Sequence, residues 1–249
     1  MENFTLECCV DSVQSAIAAE KGGATRLELC SNLIIGGTSP SPSLFNQIKK
    51  YVSLPIRVLL RPRFGDFYYT NYEIDVLNDE INTFKNLGAD GIVIGCLNPD
   101  GDLDIKSMEK FIYTAGDLVI TLHRAFDVCA NPMKALEQAK KLGISTILTS
   151  GAKNSAYEGK ELIKQLCANA ENIEILAGAG IDANSIKLLL DEIPKLKSFH
   201  MSGKSVLQSK MKYKNKDVFM GLENISEYQI WQTDINKIKM ARAVLENKR

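Results

Sequence analysis

The sequence is short of the features that would send it to a membrane, an oxidising compartment or a nucleic acid. Its opening MENFTLECC has neither the basic patch nor the apolar core of a secretory signal. No uninterrupted apolar run approaches the roughly 20 residues that cross a bilayer, so the expectation is a cytoplasmic protein without a membrane partner. Six cysteines are present, but none form a C-x-x-C pair, and the neighbours Cys8 and Cys9 cannot easily bridge each other. In the cytoplasm they read as reduced thiols. Thirty basic residues against 30 acidic ones leave no net charge, which excludes a global field for nucleic acid and leaves any attraction to a ligand local. No Pro/Ser tract, low-complexity run or block of like charge marks a linker, so residues 1–249 read as one domain. After the first strand the chain runs CCVDSVQ, without the G-x-G-x-x-G that anchors a dinucleotide.

What the chain does have is repetition. Apolar runs stand at about 4–9, 25–30, 56–61, 91–96, 118–123, 145–149, 173–177 and 197–201, with helix-period segments in nearly every gap. Asp11 with Gln14 spells a capping box, Asn131 before Pro132 puts proline at a first helical position, and Asp182 opens another helix. Ile74, Leu77, Ile81, Phe84 and Leu87 share one helical face, and Gly22, Gly88 and Gly143 stand where helices stop. The junctions KGGATRLELC, NLGADGIVIG and KLGISTILTS repeat one another. Eight strand and helix units in this length predict an α/β fold, a single-domain TIM (β/α)8 barrel, with a doubly wound open sheet as the competitor.

In such a barrel, function sits at the carboxyl ends of the strands, and side chains alternate between lumen and helix layer. TLECCV and TRLELCS both place a carboxylate and a thiol in a buried run. Alternation turns Leu6, Cys8, Leu27 and Leu29 outward and Thr5, Glu7, Cys9, Glu28 and Cys30 inward. The two Glu-x-Cys pairs are expected side by side at the mouth, Glu7 and Glu28 at matching heights. Their repulsion should raise one pKa unless Arg61 or Arg63, at the top of strand three, lies between them. Strand five sends Thr121 and His123 inward with Asp127 just beyond, and strand eight sends His200 and Ser202 inward. Both histidines of the chain fall there. Glu7, Glu28, Arg61, His123 and His200 are therefore candidates for acid–base catalysis on a small anionic molecule, phosphorylated ones included. Gly178, Gly180, Ser202 and Gly203, after strands seven and eight, with Arg63, are candidates for holding the anion. A long connection carrying Lys204, Lys210, Lys212, Lys214 and Lys216 is expected to fold over the opening as a basic lid.

In order along the chain, LECC, RLELC, GGTSPS, RPRFGDFYY, LHRAFDVCANP, LTSG, LAGAG and HMSG resemble the CutC copper homeostasis protein family. The resemblance implies a TIM barrel, a cytoplasmic role in copper homeostasis and a homodimer, with copper ion as partner. Two departures stand out: Phe64 replaces a usual glycine before Gly65, and MKYKN at 211–215 has lysines where arginines are common. Cu(I) prefers thiolates, so Cys9 and Cys30 are the candidate ligands, with Cys8 the alternative if the register slips by one. Cys129 reads as structural, Cys96 and Cys167 as small core residues. The competing reading is a metal-independent TIM-barrel enzyme, because a Cu(I) site has no use for the carboxylates and arginines at the mouth.

Overall fold

A computed structural model describes residues 4–215, 217–218, 220–221 and 225–247. Eight parallel strands pair in sequence order and close into a ring, β8 returning to β1. They are β1 (Thr5–Val10), β2 (Arg26–Leu29), β3 (Ile56–Leu59), β4 (Gly91–Ile94), β5 (Val119–Leu122), β6 (Thr146–Thr149), β7 (Glu174–Ala177) and β8 (Ser198–Met201). The expected strands thus stand within two residues of the observed ones, and the open-sheet alternative falls. Between them run α1 (Val13–Gly22), α2 (Pro42–Ile48), α3 (Asn71–Asn86), α4 (Ile105–Ala115), α5 (Pro132–Lys141), α6 (Lys160–Asn169) and α7 (Ala183–Glu192). The main core lies between barrel and helices, where Leu6, Leu27, Val58, Ile92, Ile147 and Phe199 are all fully buried.

The helix punctuation is mostly as expected. Asn131 and Asp182 cap α5 and α7 with their side chains, and Ile74, Leu77, Ile81 and Phe84 bury one face of α3. Two positions shift by one. Ser12, not Asp11, caps α1, because Asp11 turns its carboxylate to the backbone of Leu33. Gly22 ends α1, but the left-handed position after it, φ 91°, belongs to Gly23, where a side chain would be strained.

The long connection after β8 is partly ordered as an antiparallel hairpin, β9 (Lys204–Gln208) with β10 (Gln229–Thr233). Lys204 stays at the mouth, its ammonium 3.4 Å from the Trp231 ring centroid. Lys210, Lys212 and Lys214 are exposed in the turn of this hairpin, and Lys216 lies outside the described residues. The final helix, α8 (Ile235–Asn247), packs against α1 and α7 and completes the outer layer.

Candidate functional site

The stagger that closing a barrel requires decides which inward residues meet. Glu7 stands beside Arg26 on one side and His200 on the other, while Cys9 stands beside Glu28. The two carboxylates expected at matching heights are therefore two residues apart along the barrel, and the cation next to Glu7 is Arg26, not Arg61 or Arg63. Glu7 is fully buried, accepting from Arg26 Nε and lying 2.7 Å from His200 Nδ1. On β3, Arg57 pairs in register with Glu28 and donates to the hydroxyls of Thr121 and Thr146, each at 2.8 Å. Glu174 in turn accepts from Thr146 at 2.8 Å and Ser198 at 2.6 Å. Sequence reasoning missed this floor of Arg26, Arg57 and Glu174. Continuing the alternation two residues down from Glu28, or from Leu59 to Arg57, would have found it.

The floor sets the charges above it. Burial opposes the Glu7 charge, but Arg26 and His200 outweigh it and hold the carboxyl at about 2. Glu28, 4% exposed, has no such partner: burial pushes it up to about 7, the Glu7 charge adding to the push and His200 and Arg26 only partly opposing it. Its Oε2 has no hydrogen-bond partner. Burial disfavours the His200 imidazolium, yet Cys9, Glu28 and Glu7 around it raise its pKa well above the ordinary histidine value.

Above this floor opens a pocket of about 640 Å³ at the carboxyl ends of the strands. Of the residues singled out in the sequence, it gathers Cys9, Glu28, Arg61, His123, Asp127, Gly180, His200, Ser202 and Lys204, and adds Arg124. Glu7 lies beneath it and acts on it through His200. Five other candidates stand outside its lining, Cys30 among them. Arg63 is turned away by ion pairs to Glu73 at 2.6 Å and Asp66 at 3.0 Å. Cys8 faces the helix layer. Gly178 and Gly203 serve close packing: a β-carbon there would come within 2.6 Å of Leu148 and of Ile238 respectively.

Two groups of amides near the mouth, after β6 and at the start of α7, are already engaged. Asp127 accepts from the backbone N–H of Ser150 at 2.9 Å and of Ala152 at 3.2 Å, and Asp182 accepts from Ser185 N at 2.8 Å at the start of α7. Arg61, by contrast, donates to the carbonyls of Gly37 at 3.2 Å and Gly65 at 2.8 Å. Its guanidinium carbon lies 4.9 Å from the Phe67 ring centroid, and Phe67 in turn stacks on His123 at 4.8 Å. Burial, reinforced by the Arg61 charge, pushes His123 down to about 3, so the ring is neutral.

The thiols do not converge. Cys9 is in the pocket wall and touches His200. Cys30 is fully buried outside the lining, in a small cluster with Leu59 and Val93, its Sγ donating to the Val10 carbonyl at 3.5 Å. Burial pushes both Cys8 and Cys30 well up from the ordinary thiol value, which disfavours the thiolates that a soft metal takes. Among the described residues, the set closest to a metal-ligating cluster is Glu7, Glu28 and His200, with ligand atoms within 4.8 Å of one another. Both oxygens of Glu7 are taken by Arg26 and His200, and the set is hard where Cu(I) is soft.

Comparison with known proteins follows this geometry. The profile of the CutC family matches residues 4–205. The chain is 42% identical over 246 residues to a human protein named copper homeostasis protein cutC homolog, covering 98% of this chain and 90% of that one. It is 41% identical over 242 residues to the family protein CutC of Pasteurella multocida, covering 97% and 98% of the two. Among solved structures, CutC from Streptococcus agalactiae superposes with a TM-score of 0.76 at 29% identity, covering 80% of this chain and 98% of that one. Thiamine phosphate pyrophosphorylase from Pyrococcus furiosus, at 15% identity and a TM-score of 0.58, shares the fold alone.

Proposed function

The chain belongs to the CutC family, and from that premise we propose that it serves copper homeostasis by acid–base chemistry, without a metal, on a small anionic molecule bound at the barrel mouth. One observation carries this reading: Glu28, buried in the pocket wall and pushed up to about 7, has a carboxyl oxygen with no partner. A carboxyl poised near neutral pH can both take and return a proton. Burying it without a partner is costly, and a bound substrate would supply one. His200, held by Glu7, backs it from the floor, while Arg61, Arg124 and Lys204 give the mouth its attraction for an anion. The family resemblance supports a cytoplasmic protein and a homodimer; among the described residues no helix is long and apolar enough to cross a membrane.

A second reading is Cu(I) binding, and the observation in its favour is Cys9, whose thiol lines the pocket and touches His200. Cys30 could join only by giving up the Val10 carbonyl. The test of the first reading is native mass spectrometry of gently purified protein, followed by assay with the molecule that it carries. Glu28→Gln should lower turnover at least 100-fold, within the usual contribution of a positioned acid or base. Turnover that survives this change would end the proposal.

A further inference from the structure

The hydrogen on His123 can be placed from its neighbours. The backbone N–H of Ala125 donates to Nδ1 at 3.1 Å, so Nδ1 supplies a lone pair and the neutral ring carries its hydrogen on Nε2. The residue is 4% exposed, lines the pocket, and has no partner at Nε2. A buried N–H left without an acceptor is unfavourable.

Beside it, Arg61 brings a positive charge that no carboxylate neutralises. The charged group that acts on it is Arg63, another cation, while burial keeps the Tyr69 phenol beside it neutral; its Nε has no hydrogen-bond partner, and its terminal nitrogens bond to glycine carbonyls. Both side chains lie against one aromatic ring, Phe67. A group that satisfies both must carry an accepting oxygen and a negative charge.

Three donor groups near the mouth that a phosphate could use are taken. The amides after β6 hold Asp127, the start of α7 is capped by Asp182 and Ser185, and Arg63 is committed to Glu73 and Asp66. A three-oxygen phosphate needs several such donors at once. One imidazole N–H beside one delocalised charge suits a planar group.

We propose that His123 Nε2–H, with the Arg61 charge beside it, receives a carboxylate or carbonyl oxygen of the ligand, so that the pocket takes a carboxylic or oxo acid and not a phosphate ester. This rests on the reading of the mouth as a small-anion site. It names the class of anion and moves its anchor from the β7 and β8 loops to β5 and the end of β3.

Because the chain has two histidines, ¹⁵N-histidine labelling gives one ring spin system for each. Pyruvate and, separately, inorganic phosphate are titrated into the full chain at equal concentrations. Pyruvate should shift the His123 Nε2–H signal, and phosphate should leave it in place. His123→Phe should weaken pyruvate binding by about tenfold or more, and His123→Gln, which keeps an N–H donor, should restore most of it, thermal melts showing both variants folded. A hydrogen found on Nδ1, an equal response to phosphate, or a pyruvate shift confined to His200 would overturn the inference while leaving an anion site at the mouth. Silence of both histidines to both probes would remove the inference and the small-anion reading together.

Discussion

His200 Nδ1 and Glu7 Oε1 lie 2.7 Å apart across the seam where β8 pairs with β1, with His200 Nε2 4.0 Å from Glu28 Oε1 on the other side. The seam therefore links a carboxylate that stays charged to a carboxyl that titrates near neutrality, with an imidazole between them.

Removing the charged member should be severe. Glu7→Gln keeps the shape but leaves Arg26 and His200 facing a neutral amide in a fully buried place. Breaking a buried pair from one side costs about 3–5 kcal/mol, which urea unfolding would read as a lower midpoint. The same change should bring the His200 pKa down toward its ordinary value, seen by NMR. A His200 titration that does not move would show that Glu7 is not what holds it charged.

Glu28 predicts a stability that depends on pH. Its folded pKa, about 7, stands above the ordinary 4.5, so the stability tied to its protonated form is fully present below about pH 4.5. It is lost as pH rises toward and through 7. The total is about 3 kcal/mol by linkage, as an order of magnitude. Glu28→Gln cannot ionise and should escape the loss. Its melting temperature relative to the parent should thus rise between pH 5 and pH 8. A constant difference across that range would mean that Glu28 ionises normally in the folded protein.

The contrast between these two glutamates shows what the sequence could and could not disclose. Strand count, helix punctuation and the inward face of each strand follow from local periodicity, which is why Glu28, His123 and His200 could be assigned to one mouth. The offset between neighbouring strands is a property of ring closure and has no local signature. Hence the periodicity discloses the Glu7–Glu28 repulsion but not Arg26 beside Glu7, and it puts Cys30 at a rim where the structure has Cys9 alone. Arg26 and Arg57 were legible by simple alternation, but they sit low in the barrel, where side chains act through others and not on a ligand. The fate of Arg63 was hidden because its partner Glu73 lies on the next helix.

The two functional readings separate on the thiols. If Cu(I) is held at the mouth, anaerobic competition with a chelator should show affinity falling at least 100-fold in Cys9→Ser, less in Cys30→Ser, and not at all in Cys8→Ser, whose side chain faces the helices. If proton transfer is the function, Cys9→Ser should keep turnover that Glu28→Gln abolishes. A parent protein that fails to compete for Cu(I) would retire the copper site outright.

Gly95 offers a way to disturb His123 without altering it. The residue follows β4, its backbone is not left-handed, and an added β-carbon would come within 2.5 Å of His123 Cε1 and 2.6 Å of Nδ1. The ring also contacts Phe67 and is almost fully buried, so the imidazole has little room to retreat. Gly95→Ala should therefore cost about 1–3 kcal/mol, the usual range for overpacking, and should break the Ala125 N–H to Nδ1 hydrogen bond that fixes the hydrogen on Nε2. In the ¹⁵N-histidine spectrum the His123 pair of signals should move or broaden while those of His200, on the opposite side of the pocket, keep their place. Pyruvate binding should weaken along with the His123 change. Unaltered binding in a folded Gly95→Ala protein whose His123 signals have moved would show that the ring's position does not govern the ligand.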